Sequence, residues 1–133
     1  MFTLEQIDNI HERLGKQTSL PEYLLALNSI GVIKYDSFLT DGHSEYYGMG
    51  DYKVVSQPTH EKYSITTKCN RQDFLEHLSL HEQGKTNYFE MTKGLANSGI
   101  EKWTFDTVEM TITYYDIKGN EVLAEKLEAN DNE

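Results

Sequence analysis

Cysteine occurs once in this chain, at Cys69, so no disulfide can form within it, which fits a reducing compartment and a cytoplasmic protein. Arginine occurs only at Arg13 and Arg71, and Lys plus Arg total 12 against 22 Asp plus Glu. A formal net charge of −10 leaves no clustered cations for a phosphate backbone or an anionic lipid surface, so neither nucleic acid nor membrane is expected as a partner. Two prolines leave no Pro-rich linker. No apolar run approaches the roughly 20 residues that span a bilayer. The opening stretch MFTLEQIDNI lacks a basic region followed by an apolar one, so no signal peptide is expected.

What is present suits one compact domain of 133 residues. Folding at this length buries roughly two-thirds of the unfolded chain's surface, enough to dispense with a structural metal or disulfide. Nine Tyr, five Phe and one Trp make aromatic rings the natural bulk of the core.

Helix signals open the chain. Thr3 and Gln6 form a capping box, Phe2 can staple onto Ile7, and Leu4, Ile7, His11 and Leu14 share one face before Gly15 ends the helix. Ser19 and Glu22 form a second capping box, with Pro21 in the first turn and Gly31 as the stop. The segments VIKYDSFL, HSEYYG, YKVVS and KYSITTK read as strands, with Asp41-Gly42 and Gly50-Asp51 as turns between the first three. Asn70 with Asp73 then leads into FLEHLSLHEQG, and Asn87 with Glu90 into YFEMTKGLANS, as further helices. IEKWTFD, EMTITYYD and EVLAEKL complete the strand set, with Lys118-Gly119-Asn120 as a hairpin turn.

The second half answers the first at a constant spacing. Glu22 aligns with Glu90, Gly31 with Gly99, Lys34 with Lys102, Tyr35 with Trp103, and Tyr46-Tyr47 with Tyr114-Tyr115, each pair 68 positions apart. The expectation is an α+β fold built from an internally duplicated helix-helix-strand-strand-strand unit, a mainly antiparallel sheet with helices packed on one face. The halves run over about 1–67 and 68–128, within a single domain 1–133 that ends in a short acidic tail. Halves of roughly 65 residues are marginal alone and are expected to share one core.

The blocks FTLEQIDNIHERLGK, LPEYLLALNSIGVIKYDSFLTDGHSEYYG, FLEHLSLHEQGKTNYFEMTKGLANSGIEKW and MTITYYDIKGN together resemble an uncharacterised bacterial family of unknown function. That family is sometimes labelled "phage envelope protein" and is found in cryptic prophages as well as ordinary chromosomes. The resemblance covers nearly the whole chain, implies no established activity, and supplies no catalytic residues to carry over.

The stretch TDGHSEYYG gathers the residue types of an active site. On a strand, His43, Glu45 and Tyr47 fall on one side and Ser44 and Tyr46 on the other. In the second half Ser44 aligns with Ile112, which points the Ser44/Tyr46 side toward the helices and leaves His43, Glu45 and Tyr47 on the open face or at a groove or dimer interface. His43 and Ser44 then diverge and cannot serve as base and nucleophile on a regular strand. A strand repeat of roughly 6–7 Å is long for a direct His43–Glu45 hydrogen bond but suits gripping one ligand from two points. Asp41 and Gly42 are explained by the turn alone.

His77 and His81 stand at i, i+4 on a helix, a spacing able to chelate a metal, but without the HExxH pattern, and no metal site is expected. His60 lies in a loop that could complete a site with His43 or His81. His11, on an apolar helix face, reads as a satisfied core histidine. Cys69, beside Lys68 and Arg71 at a helix start, has a setting that lowers a thiol pKa, without any catalytic motif. Tyr35 and Trp103 read as paired core aromatics or as a stacking wall for a planar ligand. GLANSGIEKW matches no phosphate loop.

The candidate ligand-binding residues are therefore His43, Glu45, Tyr47 and His81, with His43 and Glu45 also the candidates for any catalysis and no cofactor implied. The first reading is a non-catalytic module that binds a small molecule or a second copy of itself. The alternatives are a hydrolase-like or metal-assisted enzyme using His43 and Glu45, and a prophage-derived accessory or structural protein.

Overall fold

The computed structural model describes residues 1–14 and 20–127. Gly15 and Ser19, expected to stop the first helix and cap the second, lie outside the described residues. Four helices, α1 (Leu4–Leu14), α2 (Leu20–Ser29), α3 (Arg71–Glu82) and α4 (Tyr88–Asn97), alternate in pairs with six strands. The strands are β1 (Lys34–Phe38), β2 (Ser44–Tyr47), β3 (Lys53–Val55), β4 (Ile100–Asp106), β5 (Thr111–Asp116) and β6 (Glu121–Lys126).

The caps at Thr3, Asn70 and Asn87 form as read. Thr3 N donates to Gln6 Oε1 at 2.9 Å while Gln6 N donates to Thr3 Oγ1 at 3.2 Å. Asn87 and Glu90 repeat the arrangement at the start of α4. Gly31 and Gly99 leave α2 and α4 with φ of +105° and +98°, a conformation closed to most residues.

All strands pair antiparallel in one sheet of order β3-β2-β1-β4-β5-β6. Each triplet is built locally by hairpins, and the triplets join through β1 and β4. Beyond the ladder, Leu39 N donates to Glu101 O at 2.8 Å and Thr107 N to Ile33 O at 3.0 Å, extending the seam at both ends. The helices cover one face, where Leu24, Leu27, Val32, Phe74, Leu95 and Ile100 are fully buried in a core fed by both halves.

KYSITTK is not a strand. It crosses from the sheet edge to α3 as an extended segment tied by Tyr63 N to Thr40 O and by Thr66 N to Ala96 O. Its alternation is real, with Tyr63 and Ile65 half-buried, but its partners are a turn and a helix end.

Candidate functional site

The sheet gives His43 and its neighbours two different faces. On the side away from the helices, β2 carries Glu45 and Tyr47, β1 carries Asp36, and β4 carries Lys102 and Thr104. The register sets Asp36 opposite both Glu45 and Thr104. His43 Nδ1 meets Asp41 Oδ1 at 2.6 Å, and its Nε2 lies 3.2 Å from Glu45 Oε2. The Tyr47 hydroxyl donates to Glu45 Oε1 at 2.9 Å and lies 3.5 Å from Asp36 Oδ2. Lys102 Nζ reaches Asp36 Oδ2 at 3.4 Å, and Thr104 Oγ1 donates to Asp36 Oδ1 at 2.5 Å. The result is one polar chain across three strands. Phe38 stacks on the His43 ring at 4.5 Å, and Lys34 sits 5.0 Å above the Tyr47 ring.

His43 and Glu45 touch directly, against the sequence expectation. The strand repeat separates their backbones, but both side chains are long enough to lean together. Asp41 is more than a turn residue: its Oδ1 accepts the His43 amide at 3.0 Å as well as facing the ring.

Partial burial opposes charge on His43, but the hydrogen bonds to Asp41 and Glu45 outweigh it and raise the imidazole pKa above its ordinary value. Burial likewise opposes charge on both carboxylates. His43 and, for Glu45, the Tyr47 hydroxyl outweigh it, so both pKa values fall. As an imidazolium, His43 donates from both ring nitrogens and has no lone pair left for a substrate proton.

The helix side holds a cavity of about 990 Å³. Its floor is a run of rings on neighbouring strands. Tyr35 stacks on Tyr46 at 5.0 Å and meets Phe105 at 5.0 Å, while Trp103 meets Tyr114 edge-on at 6.1 Å. The walls are Leu4, Ile7 and His11 of α1, Tyr23 of α2, Leu78 and His81 of α3, and Tyr88 and Met91 of α4. Ser37, Ser44 and Ser56 add hydroxyls, with Ser44 N donating to Ser56 Oγ at 2.8 Å. Burial, with Asp8 and other groups adding smaller effects, raises the Tyr23 and Tyr46 phenol pKa values; burial, Glu125 and Glu82 do so for Tyr114. These phenols stay protonated. Trp103 borders the cavity at 7% exposure, and its Nε1–H is a buried donor without a hydrogen-bond partner.

The structure thus joins His43, Glu45 and Tyr47 but places His81 on the other face, where its Nδ1 lies 3.0 Å from Thr86 O. His77 packs instead against Gly94, where a Cβ would come within 2.5 Å of its Nδ1. The i, i+4 pair is engaged in two separate contacts, and among the described residues no three His, Cys, Asp or Glu side chains converge as metal ligands. His60 stacks on Tyr63 at 4.1 Å beside the Asp41 turn. His11 is exposed rather than in the core, with its Nδ1 3.4 Å from the Tyr23 hydroxyl. Burial, then Asp116, raises the Cys69 pKa despite the opposing effect of Arg71, so this thiol is not activated.

The sequence reading missed Asp36, Lys102 and Thr104 on the open face, and Tyr23, Tyr46 and Tyr114 in the cavity. The cavity floor had a usable signal: Tyr35, Tyr46, Trp103, Phe105 and Tyr114 all fall on the same face by strand alternation.

Among the described residues, no helix is long and apolar enough to cross a membrane. No curated protein matches the chain. A family model described as "Protein of unknown function (DUF1398)" matches residues 8–126, and the chain belongs to that family.

Proposed function

We propose that this chain is a cytoplasmic small-molecule-binding protein that holds its ligand in the cavity between sheet and helices, without a covalent step of its own. The aromatic-floored cavity of about 990 Å³ carries the reading, because it matches the size and mixed apolar-polar lining of small-molecule sites. Two further observations favour binding over catalysis. Among the described residues, no hydrogen bond joins Ser37, Ser44 or Ser56 to His11 or His81, as a nucleophile and base would require. On the open face, His43 spends both ring nitrogens on Asp41 and Glu45.

The test is titration with the neutral dye N-phenyl-1-naphthylamine, whose emission rises in apolar surroundings. The expected result is one saturable site with a Kd on the order of micromolar. Ser44→Phe, which puts a ring into the cavity, is expected to weaken binding at least tenfold while leaving the far-UV circular dichroism unchanged. Absence of saturable binding, or equal binding by a folded Ser44→Phe, would sink the reading.

A further inference from the structure

Charge is distributed unevenly around this cavity. Among the described residues, no Lys or Arg lines it. Among the described lining residues the acidic side chains are Asp8 on α1 and Glu82 on α3, one from each helix pair. Both are exposed, whereas Tyr35, Tyr46, Trp103 and Tyr114 beneath them are buried. The carboxylates therefore stand at the rim and the rings at the floor. At the start of α4 the Glu90 amide donates to Asn87 Oδ1, and the Glu90 carboxylate places a further negative charge on that helix end.

An anionic ligand would lose hydration here and, among the described lining residues, would meet carboxylates and no Lys or Arg. A cation meets carboxylates at the mouth and electron-rich ring faces below, and the chain's net charge of −10 steers it inward. From this geometry we infer that the cavity selects an organic cation with an apolar, ring-sized body, its charge held near Asp8 and Glu82 and its body on the aromatic floor. The inference rests on the cavity being a ligand site, and it narrows the class of ligand.

Tetraphenylphosphonium and tetraphenylborate share size and shape and differ in the sign of charge. Each would be used to displace N-phenyl-1-naphthylamine from the full chain at pH 8, above the ordinary histidine range. The phosphonium is expected to displace the dye at a concentration at least tenfold below that of the borate. In the double variant Asp8→Asn/Glu82→Gln this preference, taken as the ratio of the two displacing concentrations, is expected to fall at least fivefold. Asp51→Asn/Glu109→Gln, the same charge change at exposed positions off the cavity, is expected to retain it.

A preference near or below unity in the wild type would overturn the inference while leaving the cavity as a binding site. So would a preference that survives the rim variant, or one that falls equally in both variants. Failure of the neutral dye to bind would remove the site and the inference together.

Discussion

Asp36 and Thr104 face each other across the seam between β1 and β4, with Thr104 Oγ1 donating to Asp36 Oδ1 at 2.5 Å. The two residues are 68 positions apart, the offset at which the halves of the sequence align. From this point each half's strands run outward in chain order, β1 to β3 on one side and β4 to β6 on the other. Asp36 is only 4% exposed and also faces Lys102 and the Tyr47 hydroxyl, so one carboxylate serves partners from both halves.

Removing that carboxylate is expected to be costly. Asp36→Ala strands the Thr104 hydroxyl and the half-buried Lys102 ammonium, a loss of about 2–3 kcal/mol. Asp36→Asn keeps a hydrogen-bond acceptor and is expected to lose about half as much. Urea unfolding reads both: the midpoint falls in the order wild type, Asn, Ala at constant m-value.

The His43 cluster makes stability pH-dependent with a defined sign. The His43 pKa is raised above 6.5, so its contribution is complete below 6.5 and is lost as pH rises through the folded value. The pKa values of Asp41 and Glu45 are lowered from 3.8 and 4.5, so their contributions are complete above those values and are lost as pH falls through the folded ones. The cluster therefore stabilises most between the two limits. His43→Asn is expected to abolish the alkaline decline, measured as the wild-type minus variant urea midpoint between pH 6 and 9. A difference that stays flat across that range would contradict it.

Two turn glycines separate conformational strain from steric strain. Gly119 and Gly42 have φ of +85° and +81°, but a Cβ at Gly119 meets nothing within 4 Å whereas one at Gly42 lies 1.9 Å from Thr59 Oγ1. Gly119→Ala is expected to cost about 1 kcal/mol, and Gly42→Ala at least about 1–2 kcal/mol more. Adding Thr59→Ala to Gly42→Ala is expected to recover part of that excess, as a thermal-melt double-mutant cycle would show.

The Cys69 thiol is expected to react slowly. Its raised pKa predicts alkylation by iodoacetamide at pH 7.5 slower than that of a free cysteine derivative. Asp116→Asn, which removes a nearby negative charge, is expected to speed the reaction.

Local signals carried most of the architecture. The caps at Thr3, Asn70 and Asn87 and the stops at Gly31 and Gly99 each depend on neighbours a few residues away, and the inward face of Ser44 and Tyr46 was legible from strand alternation together with the match of Ser44 to Ile112. What failed depended on distant ones. KYSITTK has a strand's alternation, but strand pairing is decided by whether a partner edge is free, and its hydrogen bonds go to Thr40 and Ala96. Asp36 gave no sign of its role because Lys102 and Thr104 are 66 and 68 residues away. The trio His43, Glu45 and Tyr47 was visible by alternation, whereas the cavity was not. Alternation names the rings on a face, while empty space is set by how far the helices stand from them.

Trp103 gives that cavity an optical reporter. It is the single tryptophan of the chain, 7% exposed, and it borders the cavity. It meets the Tyr114 ring edge-on and its buried Nε1–H has no hydrogen-bond partner, so its emission maximum belongs toward the short-wavelength end of the indole range. With excitation selective for indole over phenol, filling the cavity changes the polarisability beside a single emitter, so occupancy can be followed in the unlabelled protein as a spectral shift from one position.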